Sequence, residues 1–106
     1  MGMTVTAELL NDAKNYLDVT WQDDETDKKL TGILARGMAF LDRAAGAELD
    51  YTAEDFPRSL LFDYARYARE NALNDFTEHY LTELNSLRMY TEGEAAVEVV
   101  DDETEA

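Results

Sequence analysis

In most of the stretch from residue 7 to residue 90 the apolar residues recur at spacings of three and four, the period of an α-helix that buries one of its sides. A chain of 106 residues is long enough for one hydrophobic core and too short for two. The predicted fold is therefore all-α, a small bundle of about four helices in residues 1–90. Residues 91–106 combine glycine, small residues and like charges without a helical period, so we expect a mobile acidic tail or a segment ordered by a partner.

The first two predicted helices have recognisable ends. Thr6 is a suitable N-cap for helix 1, over residues 7–17. A connection without a period follows, and its Trp21 is expected to fold back onto the core. Helix 2 begins at the acidic residues 24–27 and ends before Gly46, which is suited to a left-handed C-cap.

Two further helices are predicted in the second half of the chain. The sequence Thr52-x-x-Asp55 followed by Pro57 indicates the start of helix 3, because proline is favourable in a first turn. Asn74 is typical of a new N-cap, so the helical pattern is expected to bend or restart there and to continue as helix 4 to about Tyr90. The apolar positions of helix 4 are Phe76, Tyr80, Leu81, Leu84 and Leu87.

Helix 2 has two faces that differ in residue size. Gly32, Ala35 and Ala39 lie on the side opposite the large apolar residues, and we interpret that side as small rather than charged. Each interior glycine costs a helix about 1 kcal/mol relative to alanine, which implies a close approach by another element. We therefore predict packing on both faces, the second against a short local element or, as the favoured alternative, another subunit. The core-facing residues are Leu30, Ile33, Leu34, Gly37, Met38, Phe40, Leu41, Ala44 and Ala45.

Helix 3 also carries a second ridge beside its core stripe, made of Phe62, Arg66, Arg69 and Leu73 at spacings of four, three and four. Our hypothesis is that the small face of helix 2 in one subunit meets this ridge in its neighbour. In that arrangement Arg66 and Arg69 would pair with acids on the neighbour.

The charges are unevenly distributed along the chain. In total 24 Asp and Glu residues oppose nine Lys and Arg residues, which gives a net charge of −15. No basic residue follows Arg88, whereas seven acids do, so the body carries 17 acids against nine bases (−8) and the tail carries −7. Such a charge opposes binding to DNA, RNA and anionic lipid. The acids of the tail are Glu92, Glu94, Glu98, Asp101, Asp102, Glu103 and Glu105.

Catalytic and cofactor chemistry has little support in the residue inventory. Cysteine is absent and His79 is the only histidine, so thiolate sites, familiar Ser-His triads and histidine-rich metal sites cannot be assembled. The acids at 23–27 lack the glycine and the glutamate of a calcium loop and are better explained as helix caps. We therefore predict no catalytic, cofactor-binding or metal-binding residue and no enzyme activity.

No membrane or export segment is predicted. The longest apolar runs fall well short of the roughly 20 residues that a spanning helix requires. The N-terminus lacks the basic and apolar regions of a signal peptide. We therefore expect a soluble protein that works in the cytoplasm.

Several segments occur in a characteristic order: residues 5–17, an acidic stretch at 23–27, the helix end at 40–46, the pair Asp50-Tyr51, and Pro57 with the aromatic-rich residues 60–67. Over about residues 5–90 this order resembles the head-tail connector (adaptor) proteins of long-tailed bacteriophages and their prophages. The resemblance rests on pattern and order, because it includes no catalytic signature.

The resemblance implies a structural virion protein that forms a ring, commonly of twelve copies, beneath the portal of the DNA-filled capsid. Its partners would be further copies of itself, the portal protein and a stopper or tail completion protein, with no membrane involved. The ring would extend the DNA channel and complete the head after packaging, and DNA would pass through without specific binding. The protein would lie at the head-tail interface of the virion after assembly in the bacterial cytoplasm.

The tail offers a second hypothesis about partners. Val97, Val99 and Val100 form a β-branched cluster within an otherwise acidic segment, which indicates a strand or hook that docks to a partner. In a connector that partner would be the portal. The main alternative to a connector is an acidic DNA mimic that binds a basic nucleic-acid-binding protein, and a small enzyme using Asp or Glu with His79 is a third reading.

Overall fold

A computed structural model describes residues 4–90, which form five α-helices and contain no strand. The all-α prediction is therefore confirmed, with one helix more than predicted. The bounds are α1 Ala7–Tyr16, α2 Asp24–Ala45, α3 Phe56–Arg69, α4 Leu73–His79 and α5, residues 81–90. No helix in this range is both long and apolar enough to span a lipid bilayer. The predicted tail at 91–106 lies outside the described residues.

The ends of α1 and α2 follow the local signals in the sequence. The Thr6 side chain accepts a hydrogen bond from Leu9 N at 3.1 Å, so the predicted N-cap of α1 is confirmed. Asp23 caps α2 by accepting from the backbone of Thr26 at 3.2 Å. Gly46 ends α2 with φ of 74°, the left-handed conformation that favours glycine.

The start of α3 differs in one detail from the prediction. Asp55 is the N-cap and accepts from the backbone N–H of Phe56, and Pro57 occupies the first turn as expected. Thr52 has another role, because its backbone N–H and its hydroxyl both donate to Asp50, at 2.9 and 2.6 Å. The Thr52-x-x-Asp55 box is therefore a turn followed by a cap.

The predicted fourth helix is two helices. The chain leaves α3 through Asn71, which has a left-handed φ of 59°, and α4 begins at Leu73, before the predicted cap at Asn74. A second interruption at Tyr80 separates α4 from α5. Leu81, the first residue of α5, is 56% exposed, so the prediction that it is buried is wrong.

The core lies mainly between α2 and α3. Gly37 marks a close approach of the two helices, since a methyl group added there would lie 2.8 Å from both Leu61 Cδ1 and Tyr64 Cδ1. This contact accounts for one of the two interior glycines of α2. The predicted core face of α2 is confirmed, with Phe40 and Ala44 half-buried and the rest buried: Leu30, Ile33, Leu34, Gly37, Met38, Leu41 and Ala45.

Helices α4 and α5 close the bundle through a few anchoring side chains. Phe76 is fully buried, its ring stacks on Tyr80 at 4.7 Å, and it meets Tyr64 edge-on at 5.5 Å. Leu87 of α5 is also fully buried. The guanidinium of Arg88 lies over the end of α2. A methyl group added at Gly46 would be 3.2 Å from Arg88 Nη2.

A buried tyrosine ties the loop after α2 back to that helix. Tyr51 is fully buried, and its hydroxyl donates to Asp42 Oδ1 at 2.7 Å, with the Met38 carbonyl oxygen 3.2 Å away. Burial and the neighbouring carboxylate raise the pKa of Tyr51 far above its usual range, so the hydroxyl stays protonated.

Arg58 is a buried cation that joins three parts of the chain. Its Nε donates to the Tyr51 carbonyl at 3.1 Å, and its two Nη atoms pair with Asp12 at 2.8 Å and Glu54 at 3.0 Å. The guanidinium also lies 5.3 Å from the centre of the Phe62 ring. Helix α1, the loop and the first turn of α3 are thereby held together.

Candidate interaction surface

The small residues of α2 face solvent within the described part of the chain. Ala35 and Ala39 are exposed and Gly32 is half-buried. The Arg36 side chain lies over Gly32, since a methyl group added there would be 3.3 Å from Arg36 Nη1. No element within residues 4–90 therefore covers this face, in contrast to the alternative of a short local element. Packing against another subunit stays a prediction.

The same face is also basic, so our interpretation of it as small rather than charged is wrong. Lys28, Gly32 and Arg36 form one row at spacings of four residues, and Ala35, Ala39 and Arg43 form a second. The three cations are exposed and make no ion pair with any residue between 4 and 90. We call these six residues the α2 outer face. The four-residue spacing was visible in the sequence and could have revealed the cations.

The ridge predicted on α3 is only partly a surface. Arg66, Arg69 and Leu73 are exposed, with Leu73 at 36%. Phe62 is 6% exposed, because the Tyr16 ring of α1 packs against it with centroids 5.5 Å apart. Phe62 therefore belongs to the core of its own chain, and the remaining three residues are the part available to a partner.

Arg66 is held in place by a polar cluster around Asp63. Its guanidinium lies 3.5 Å from Asp63 and 3.4 Å from the Tyr80 hydroxyl. Asp63 accepts hydrogen bonds from the hydroxyls of Tyr80, at 3.0 Å, and Tyr16. Burial, with this hydrogen bond second, raises the pKa of Tyr80 to about 12, and the bond to Asp63 is the main cause that raises the pKa of Tyr16.

This geometry argues against the predicted pairing of the two surfaces. Residues 28–41 of α2 contain no acid, so a neighbour's Arg66 and Arg69 would face the cations of the α2 outer face. Like charges brought together in this way repel each other. The α2 outer face is instead complementary to an acidic surface.

A groove lies between the start of α2 and the end of α3. Its volume is about 500 Å³, and its rim carries the side chain of Trp21, which is 50% exposed. The prediction that Trp21 folds back onto the core is therefore wrong, and Val19 is the buried residue of this connection. The groove is lined by Trp21, Thr26, Lys29, Leu30, Ile33, Ala68, Arg69 and Asn71.

The remaining predictions concern His79, metal binding and the valines of the tail. His79 is exposed, with its Nδ1 3.2 Å from the Tyr67 hydroxyl. Between residues 4 and 90 no three His, Asp or Glu side chains are grouped as metal ligands. Val97, Val99 and Val100 lie outside the described residues, so their docking role stays a prediction.

No relative of the chain was found among known proteins. No family model matches the chain, and neither a curated protein nor a solved structure is significantly similar to it.

Proposed function

We propose that the chain is a structural subunit that assembles head to tail into a ring, in the manner of phage head-tail connectors. Such a ring would lie between the portal and a stopper or tail completion protein and would extend the DNA channel. In this proposal the subunit performs no catalysis, and its binding energy comes from surfaces that different copies present to one another.

The observation that carries the proposal is the α2 outer face. Exposed alanines at 35 and 39 allow a partner's backbone to approach closely, and Lys28, Arg36 and Arg43 attract negative charge. The rest of the chain is strongly acidic, since the net charge is −15. One subunit therefore carries two surfaces of opposite character, which is what a head-to-tail contact between identical copies requires.

The basic face supports a ring subunit better than an acidic DNA mimic. A mimic needs carboxylates displayed along an exposed side, free to bind a basic protein. In this chain Asp27 pairs with Lys14 at 2.7 Å, and Asp12 pairs with Arg58 at 2.8 Å. The longest helix within residues 4–90, α2, displays three exposed cations on its outer face.

The proposal is tested by one substitution with a matched control. Ala39→Trp fills the small face, whereas Ala7→Trp adds the same side chain at an exposed position at the start of α1. Light scattering behind size-exclusion chromatography gives the molar mass at several concentrations, and negative-stain images show any central hole. We expect rings for the unchanged chain and for Ala7→Trp, but a helical monomer of 12.0 kDa for Ala39→Trp.

Two results would contradict the proposal. The first is ring formation by Ala39→Trp that equals that of the unchanged chain. The second is an unchanged chain that stays monomeric at every concentration, both alone and when mixed with portal rings of the phage or prophage that encodes it.

A further inference from the structure

The groove beside Trp21 combines an apolar floor with two cations. Leu30 and Ile33 form the floor, and Lys29 and Arg69 lie at its sides. Neither cation makes an ion pair with any described residue. None of the eight lining residues is acidic. This chemistry fits a short peptide in which apolar and acidic residues alternate.

We propose that this groove binds residues 95–100 from the tail of a second copy of the chain. That segment reads Ala-Ala-Val-Glu-Val-Val and is followed by the acids at 101–103. Its valines match the apolar floor, and its carboxylates match Lys29 and Arg69. The inference rests on the proposed self-assembly and names the segment that links one subunit to the next.

The position of the last described residues favours a second copy over the chain's own tail. The Tyr90 hydroxyl donates to Asp55 at 2.8 Å, and its ring lies 5.7 Å from that of Phe56, so the tail leaves beside the start of α3. The groove lies at the other end of α3, 13 residues and about 20 Å away. The seven residues from Tyr90 to Val97 span at most about 25 Å. A chain's own tail would have to run almost straight to bring Val97 into its groove.

Binding between copies has the geometry of a ring contact. The tail leaves at one end of α3 and the groove lies at the opposite end, so each copy offers a donor segment and an acceptor groove at different places. Contacts of this kind join successive copies in one direction and close into a ring when the rotation between copies permits. Lys28, next to Lys29 in sequence, would attract the remaining tail acids.

Trp21 provides the signal for a direct test, because it is the only tryptophan in the chain. The full chain is titrated with a fluorescein-labelled peptide of residues 91–106 at 0.15 M salt, and binding is followed by anisotropy. Unlabelled peptide is used to follow Trp21 emission. We expect saturable binding with a blue shift of this emission. A peptide with all three valines changed to serine should bind at least tenfold more weakly, although its charge is unchanged.

The groove is tested with a pair of charge reversals. Arg69→Glu should weaken binding of the peptide at least tenfold, whereas Arg43→Glu, which makes the same change outside the groove, should alter it by less than threefold. Equal weakening by both variants would indicate general electrostatic attraction and overturn the inference. Absence of binding, binding without an emission shift, or binding of the peptide to portal rings alone would also overturn it.

A final measurement separates this inference from the ring proposal. In the unchanged chain, Trp21 emission should shift to the blue as the molar mass rises with concentration, and truncation after Tyr90 should remove that shift. Rings that form without any shift would leave the ring proposal intact and overturn the tail contact. Peptide binding at the groove in a chain that never forms rings would support the tail contact and count against the ring.

Discussion

Adding one methyl group at Gly37 and, separately, at Gly32 tests the close approach of α2 and α3. Both substitutions to alanine occur in the interior of the same helix, so each gains about 1 kcal/mol of helix propensity. At Gly37 the methyl group would lie 2.8 Å from Leu61 Cδ1 and from Tyr64 Cδ1. Both neighbours are buried and have little room to move, and overpacking of this kind costs about 1–3 kcal/mol.

At Gly32 the one side-chain atom that residues 4–90 bring close to the added carbon is at the tip of Arg36, 3.3 Å away. Arg36 is exposed and can move, so Gly32→Ala should stabilise the chain by about 0.5–1 kcal/mol. The propensity gain is common to both variants and cancels in their difference. Gly37→Ala should therefore have a free energy of unfolding about 1–3 kcal/mol below that of Gly32→Ala.

Urea unfolding followed by circular dichroism at 222 nm measures this difference, provided that both variants have the same dependence on urea. The chain must be kept at a concentration at which it is monomeric, because assembly adds to the apparent stability. Gly37→Ala that is as stable as Gly32→Ala would refute the reasoning, since it would show that α3 yields to the added methyl group without cost.

Three further predictions concern polar groups. Tyr51→Phe removes the hydroxyl that donates to Asp42 and should lower the free energy of unfolding by about 1–2 kcal/mol in the same urea titration, and no loss would contradict the role of that bond. Arg58→Lys keeps the charge but cannot make three directed bonds at once, and should cost about 1–3 kcal/mol, against almost nothing for the exposed Arg36→Lys. The pKa of Tyr80 is raised from 10.0 to about 12, so the stability that this hydroxyl contributes is complete below pH 10 and is lost as the pH rises through 12. The free energy of unfolding should therefore depend less steeply on pH between about pH 10 and pH 12 in Tyr80→Phe than in the unchanged chain. An unchanged slope would exclude this contribution.

The elements whose ends depend on local chemistry could be predicted from the sequence. Thr6 and Gly46 act through neighbouring backbone atoms of their own helices, so the bounds of α1 and the end of α2 followed from residue type and spacing. The core face of α2 followed from helical periodicity for the same reason. The break between α4 and α5 at Tyr80 could not be predicted, because no proline or glycine marks it. The Tyr80 ring packs on Phe76 and Tyr67, and this packing depends on where α3 lies.

The residues that were misjudged depend on which element lies opposite them. Phe62 belongs to a regular ridge of α3 in sequence, but α1 covers it with Tyr16. Trp21 is large and apolar, yet Val19 takes the buried place in that connection. Arg58 pairs with Asp12, which lies 46 positions earlier in the chain, and spacing within one helix cannot reveal such a pairing.

The candidate surface was predicted in outline. The small residues at 32, 35 and 39 lie on an open side of α2, as their phase within the helix required. The cations of the same side follow equally from the four-residue spacing. The groove beside Trp21 could not be predicted, because it exists only where the start of α2 meets the end of α3.

The attachment of α1 implies that the helix is held by contacts sensitive to ionic strength. Leu9, Ala13 and the contact of the Tyr16 ring with Phe62 supply its apolar packing. Two ion pairs, Lys14–Asp27 and Arg58–Asp12, join it to α2 and α3 through carboxylates whose side chains are 37% and 39% exposed. Salt ions reach the partly exposed carboxylates and weaken these two pairs, although less than they weaken pairs in which both partners are exposed. Amide hydrogen exchange in α1 should therefore accelerate with added salt while exchange in α2 and α3 changes little, so that α1 opens as a unit of its own.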